Sequence, residues 1–299
     1  GVNLGLPNVL SVETAENEEG AIAGVLAGLI AAYYGYPHVG VVFGMEFPDL
    51  WNFEGGYKWG VDWAVNWTIK NHPELANKGI CATPRRERVL WTYTGTFTDV
   101  TKGYEAAKAM YEKGAAVVYN VAGGTGIGIS VALKEIAERE GLEMGPPFWI
   151  GVDADQDWIL PGFTIASTIA RFDLAVYYGA KLAMEGKFRD AVQETGGKLT
   201  FRLATKVAGL EFTGLSLSTL DDLDEFIQMG IEAEKILGKK VLPMPPDEIK
   251  SKVKAMRESI PGWIWDVVND FQEKIRTGEI VVPVFESEEA INKVRATYG

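Results

Sequence analysis

The sequence runs to 299 residues, 47% hydrophobic and 23% charged, which is enough apolar material for one or two packed domains and excludes a disordered chain. Its 29 basic and 41 acidic residues give a formal charge of −12, which repels polyphosphate backbones, and the densest basic run, at 84–88, reads as a solvated loop, so no nucleic acid partner is expected. A single cysteine, Cys81, excludes an intrachain disulfide, and two histidines, His38 and His72, leave little for a zinc site or a Cys/His nucleophile, so neither a metal nor a cofactor is expected.

Taken in chain order, residues 8–12 read as a short strand, and 17–34 as a helix with acids in its first turn. The apolar stretch 21–34 is about fourteen residues long, short of the roughly twenty needed to span a bilayer, so a buried helix is expected; no basic leader or cleavage site precedes it. A buried strand is expected at 38–43, a helix at 49–70 with Phe53, Tyr57, Val61 and Val65 at helical spacing, and a polar irregular stretch at 71–88. Strand 89–93, helix 100–112, strand 116–121, helix 129–140, and strands 148–152 and 163–169 continue the alternation, followed by a helix at 173–185. Short strands at 198–204 and 207–212 and a helical region from 219 onward, punctuated by prolines, complete the chain. Strands alternating with helices make the class α/β with a parallel sheet, whose strand-to-helix turns gather at its carboxyl edge.

Three such turns carry residues suited to a ligand. In 117–135 the glycines fall at 123, 124, 126 and 128; a dinucleotide fingerprint fails by one residue at Ile129, and a phosphate-binding loop fails for want of a lysine before Ser130. What remains is a loop without side chains before a helix, where Gly123 and Gly124 could lie against a neutral polar ligand, or could simply permit tight packing. The turn 151–156 places Asp153 and Asp155 at a strand's carboxyl end, where a carboxylate can accept two hydrogen bonds from a vicinal diol; Asp155 reads equally as a helix N-cap. The turn 44–53 supplies Phe47, Trp51 and Phe53, aromatics that can stack on a planar ring or fill the core. No catalytic nucleophile stands out, so no catalytic residue is assigned.

The blocks 17–28, 43–48, 52–56, 93–97, 122–128, 150–156, 171–177 and 278–283 together resemble the basic membrane protein family of ABC-transporter substrate-binding proteins, whose best-known members are purine nucleoside receptors of the PnrA type. The resemblance implies a type I periplasmic-binding-protein fold, two doubly wound lobes that close on a ligand. Residues 1–37 would be the remainder of the first lobe, 38–163 the second ligand-binding lobe, 164–195 a crossover strand and helix returning to the first lobe, and 196–299 the hinge crossover and C-terminal helical layers. Phe53 would wall the base, with Phe47 and Trp51 as alternatives; Gly123 and Gly124 would line the cleft and Asp153 would hold ribose hydroxyls. The partners implied are a purine nucleoside and membrane permease subunits, with the full-length lipoprotein anchored outside the cell or in the periplasm.

Three departures accompany the resemblance: the family's early Asp and Phe-Asn motif has no counterpart, so part of the first lobe is expected to lie outside this sequence. Ala170 stands where the family usually has a ribose-contacting lysine, and 71–91 and 216–265 are longer than usual, adding Trp263 and Trp265, which are expected in the core. Two other functions share these residues: a nucleoside- or sugar-metabolising enzyme using Asp153 or Asp155 as acid or base, and a ligand-sensing regulatory module.

Overall fold

A computed structural model describes residues 4–299. Strand β1 (Ser11–Thr14) leads into α1 (Glu16–Tyr34), whose first turn holds Glu16, Glu18 and Glu19 against the positive helix end and whose last turn closes on Gly35 in the left-handed conformation. Then come β2 (His38–Phe43), α2 (Pro48–Asn71), the short α3 (Gly79–Ala82), β3 (Val89–Tyr93), α4 (Val100–Glu112), β4 (Ala115–Val121), α5 (Ile127–Glu140), β5 (Phe148–Gly151) and β6 (Thr164–Ala170). Apart from β1, expected at 8–12, and α3, which lies in the stretch 71–88 expected to be irregular, these bounds sit within two residues of the sequence expectation, because β2 to β6 are largely apolar runs, as a sheet covered on both faces requires. Every residue of β4 and β6 is buried.

The remaining elements are α6 (Phe172–Met184), α7 (Phe188–Glu194), β7 (Lys198–Phe201), β8 (Thr205–Val207), β9 (Leu210–Phe212), β10 (Leu215–Leu217), α8 (Leu220–Leu237), α9 (Pro246–Ser259), α10 (Gly262–Arg276) and α11 (Glu288–Tyr298). The single strand expected at 207–212 is instead a hairpin: Ala208 and Gly209 both take positive φ, 48° and 78°, and turn the chain between β8 and β9. Strand β10 was not legible, since three residues carry too little alternation to register.

The main sheet has the order β10-β6-β5-β4-β2-β3, parallel throughout except that β10 runs antiparallel to β6. Strand β3 lies on one side of β2 and β4 on the other, so the loops leaving β2 and β4 diverge at a topological switch point, where open α/β sheets hold ligands. Helices α4 and α5 cover one face through Ala107, Ile129 and Leu133, and α1 and α2 cover the other through Leu26, Tyr57 and Val61. Trp263 of the C-terminal layer is half-buried and stacks on Trp67 at 5.8 Å, while Ile249, Val253 and Phe271 join the main core.

Glycines set the α1–α2 distance: a Cβ on Gly24 would lie 2.3 Å from the Tyr57 carbonyl oxygen, and one on Gly60 would lie 2.3 Å from that of Ala21. The two backbones therefore touch directly. A smaller assembly stands apart, in which β1 pairs in parallel with β7 and packs with α6, α7 and the β8–β9 hairpin around Leu182, Phe201 and Val207. Of the segment 4–37, then, β1 belongs to this small assembly while α1 lies on the main sheet; of 164–195, β6 belongs to the main sheet and α6 and α7 to the small assembly.

Candidate functional site

The carboxyl edge of the main sheet gathers the turns singled out in the sequence. Loops from β2, β3 and β4 are stitched together: Gly44 donates its N–H to the Val121 carbonyl (3.0 Å), Gly95 to Gly44 (3.0 Å) and Thr125 to Phe97 (3.1 Å). Gly44 is required by close approach, since a Cβ there would lie 2.1 Å from the Phe97 ring. After β4 the chain makes a 3₁₀ turn, Gly123–Gly126, and enters α5 with no side chain capping its first N–H groups. Gly123 (φ 54°) and Gly124 are exposed, so their backbone faces solvent at the switch point.

The aromatics divide into separate environments. Phe47 is half-buried and meets Phe97 edge-on, with ring centroids 6.3 Å apart, beside the glycine loop. Phe53 is 7% exposed and packs 6.4 Å from Tyr119 on β4, close to the acidic turn. Trp51 turns the other way, donating Nε1–H to Glu46 (3.0 Å) and packing in the cluster of Phe285, Ile291 and Val294 beneath α11. Phe97 lay within the block 93–97 without a role of its own; an aromatic two residues past a Gly-containing turn at a strand's carboxyl end was the available signal.

The acids are likewise sorted by environment. Asp153 takes φ 64°, unusual for a residue with a side chain, and its carbonyl is held by the Ala170 N–H at 3.0 Å. The residue is exposed, yet the surrounding protein desolvates its carboxyl enough to raise its pKa. Beneath it lies Glu19 of α1, 1% exposed, whose Oε1 accepts from the Thr168 hydroxyl (2.6 Å), itself hydrogen-bonded to the Tyr119 hydroxyl (2.8 Å). Burial, followed by the Asp153 charge, holds the Glu19 carboxyl well above the usual range. In the sequence Glu19 is one of the first-turn acids of a helix, and its distance from Asp153 along the chain hides their proximity.

Asp155 faces inward. It is 1% exposed, its Oδ1 accepts the Asp157 N–H (2.8 Å), and burial, followed by the Asp157 charge, pushes its pKa up to about 8. Asp157 is fully buried, accepting from Ser167 (2.7 Å), Ser218 (2.8 Å) and the Arg257 guanidinium of α9. That network anchors the β5 turn to the helical layer and leaves Asp153 as the acid of this turn that meets solvent. Arg171, at the end of β6, closes both guanidinium arms on Asp173 (2.9 and 2.7 Å), and the neighbouring Ala170 contributes a buried methyl. Among the described residues, no group of three or more His, Cys, Asp or Glu side chains is arranged to hold a metal ion, and no helix is long and apolar enough to cross a membrane.

Residues 74–241, more than half of the chain, match the family model Bmp, described as ABC transporter substrate-binding protein PnrA-like. The chain is 33% identical over 276 residues to an uncharacterised lipoprotein of Pyrococcus horikoshii, covering 92% of this chain and 59% of that protein, so it spans about three fifths of such relatives. It is 31% identical over 190 residues to the ABC transporter nucleoside-binding protein BmpA of Lactococcus lactis, covering 60% of this chain and 48% of that protein. A crystal structure of an ABC transporter system solute-binding protein from Aeropyrum pernix superposes with a TM-score of 0.75 at 30% identity, covering 96% of this chain and 71% of that one.

Proposed function

We propose, starting from a chain that belongs to the Bmp family of PnrA-like ABC transporter substrate-binding proteins, that the carboxyl edge of its main sheet binds a purine nucleoside for delivery to a membrane permease. The observation that carries this reading is that the exposed Gly123–Gly124 backbone, the Phe47–Phe97 aromatic pair and the exposed Asp153 all belong to loops at the carboxyl edge of one sheet. Aromatic faces stack on a purine, a carboxylate accepts two hydrogen bonds from the ribose diol, and the loop's N–H groups meet a polar edge without a lysine to recruit phosphate. Affinity comes from stacking and aimed hydrogen bonds, and no bond is made or broken. Asp155 points away from solvent into its network with Asp157, which disfavours a paired acid and base working on one substrate. The lipoprotein name of the Pyrococcus relative supports an anchored position outside the cytoplasmic membrane for the whole protein.

Calorimetry against adenosine, guanosine, inosine, ribose and the free bases tests the reading. Binding of a nucleoside without turnover is expected, and Gly124→Val should weaken it at least tenfold. The valine Cβ would stand 3.2 Å from the Phe97 carbonyl, a contact relieved by a shift of a few tenths of an ångström, while its methyls occupy the ligand side. Absence of heat with every nucleoside refutes the nucleoside assignment.

A further inference from the structure

The group at this edge that the proposed function leaves unused is Glu19. It is nearly inaccessible, its Oε1 is committed to Thr168, and its Oε2 has no hydrogen-bond partner. A buried carboxylate oxygen without a donor is costly, whereas a protonated oxygen needs only an acceptor. The charges acting on Glu19 are both negative, Asp153 from the β5 turn and Glu16 from its own helix; Tyr119 on β4 and Thr168 on β6 add hydroxyls, and the Asp153 backbone N–H, which also approaches the carboxyl, opposes the rise without cancelling it. The nearby cations are spent elsewhere, Arg202 on Glu18 (2.7 Å) and Arg171 on Asp173, and position 170 is a methyl. From α2, Phe53 brings an uncharged ring, and the Tyr57 hydroxyl is given to the Gly40 carbonyl.

We infer that Glu19 is a positioning residue of the ligand cleft, the protonated member of a one-proton carboxyl pair with Asp153, and that a neutral hydroxyl-bearing ligand binds there with uptake of that proton wherever the free pair has lost it. The inference rests on the reading of this edge as a ligand site. With one proton the pair carries a single negative charge, on the exposed member, where it can accept hydroxyl hydrogens. With none it carries two charges that a neutral ligand would bury without compensation, so a proton moves from solvent to Glu19 Oε2 as the ligand seats. The proton selects the ligand: a neutral diol suits the singly charged pair, and a cation would suit the doubly charged one. Burial also raises the Glu19 pKa, in the same direction as the geometry.

In protein carrying ¹³C at its glutamate carboxyls, the Glu19 signal, assigned by its loss in Glu19→Gln, is followed from about pH 4 to about pH 10. A midpoint at or above neutrality supports the pair, and one in the ordinary glutamate range near about 4.3 overturns it. Asp153→Asn should lower that midpoint, and a midpoint that does not move counts against the pairing. Above the midpoint, calorimetry with inosine in buffers of different ionisation enthalpy should register uptake of about one proton by the wild type and none by Glu19→Gln. Wild-type affinity should fall about tenfold per pH unit there while the variant's profile stays flat. Inosine bound by the wild type without proton uptake overturns the linkage. A protein that binds neither inosine nor ribose refutes the nucleoside reading, and the carboxyl titration still decides whether the pair holds one proton.

Discussion

Replacing Gly24 by alanine tests the claim that α1 and α2 are held together by backbone contact. The new Cβ would lie 2.3 Å from the Tyr57 carbonyl oxygen and 3.0 Å from the Val61 nitrogen. A carbon in contact with a carbonyl oxygen normally keeps about 3.3 Å, so the helices must part by about 1 Å at this point. Both obstructing atoms are backbone and cannot swing aside, so the change costs about 3 kcal/mol, the upper part of the range for overpacking. Alanine's better helix propensity returns about 1 kcal/mol, leaving a net loss of about 2 kcal/mol. At about 2 °C per kcal/mol for a chain of this size, the midpoint of thermal unfolding should fall by about 4 °C. Gly179→Ala makes the same chemical change inside α6, where a Cβ would meet nothing within 4 Å. It should raise the midpoint by about 2 °C through propensity alone. Circular dichroism melts of the two variants provide the comparison, and a Gly24→Ala midpoint equal to or above that of the wild type refutes direct helix contact.

Three further substitutions test the buried titratable groups. The folded protein holds the Asp155 proton up to about pH 8, whereas an unfolded aspartate releases it near about 3.9. Stability therefore declines as pH rises between those values and is level above them, and Asp155→Asn, which keeps the acceptor for Asp157, should gain more in melting midpoint at pH 8.5 than at pH 4.5; an equal gain at both refutes the assignment. Glu54 is fully buried and accepts from Lys58 (2.7 Å), Tyr93 (2.9 Å) and Arg295 (2.8 Å). Glu54→Gln should cost about 3 kcal/mol in urea denaturation by stranding the Lys58 ammonium, and adding Lys58→Met should restore part of it; purely additive losses refute the coupling.

Strands β2 to β6 were legible because each is a largely apolar run, and a sheet buried on both faces leaves just that mark. The glycine loop was legible as a site because the spacing of 123, 124, 126 and 128 excludes the phosphate motifs on chemical grounds. Sequence could not show which acids of the β5 turn face solvent. Asp153, Asp155 and Asp157 alternate along the chain, and the choice between them is made by partners far away: Arg257 and Ser218 draw Asp157 inward, and the Asp157 N–H fixes Asp155. Trp51 and Phe53 were likewise equivalent on the page. The cluster beneath α11, more than two hundred residues later, claims the indole, while Tyr119 stands beside the phenyl ring.

Glu19 shows how helix packing reaches the site. Gly20 and Gly24 bring α1 onto α2 at backbone distance, and Glu19 is the residue just before that contact. The depth to which α1 sinks therefore sets how far the Glu19 carboxyl reaches beneath Asp153 and whether Thr168 can bond its Oε1. Parting the helices by about 1 Å at Gly24 would lengthen a 2.6 Å hydrogen bond by an amount that breaks it, because hydrogen bonds weaken steeply beyond about 3.2 Å. The glycine stripe thus acts on the carboxyl pair as well as on stability. Gly24→Ala should shift the Glu19 titration together with the melt, whereas Gly179→Ala, on α6 in the small assembly, should leave that titration unmoved.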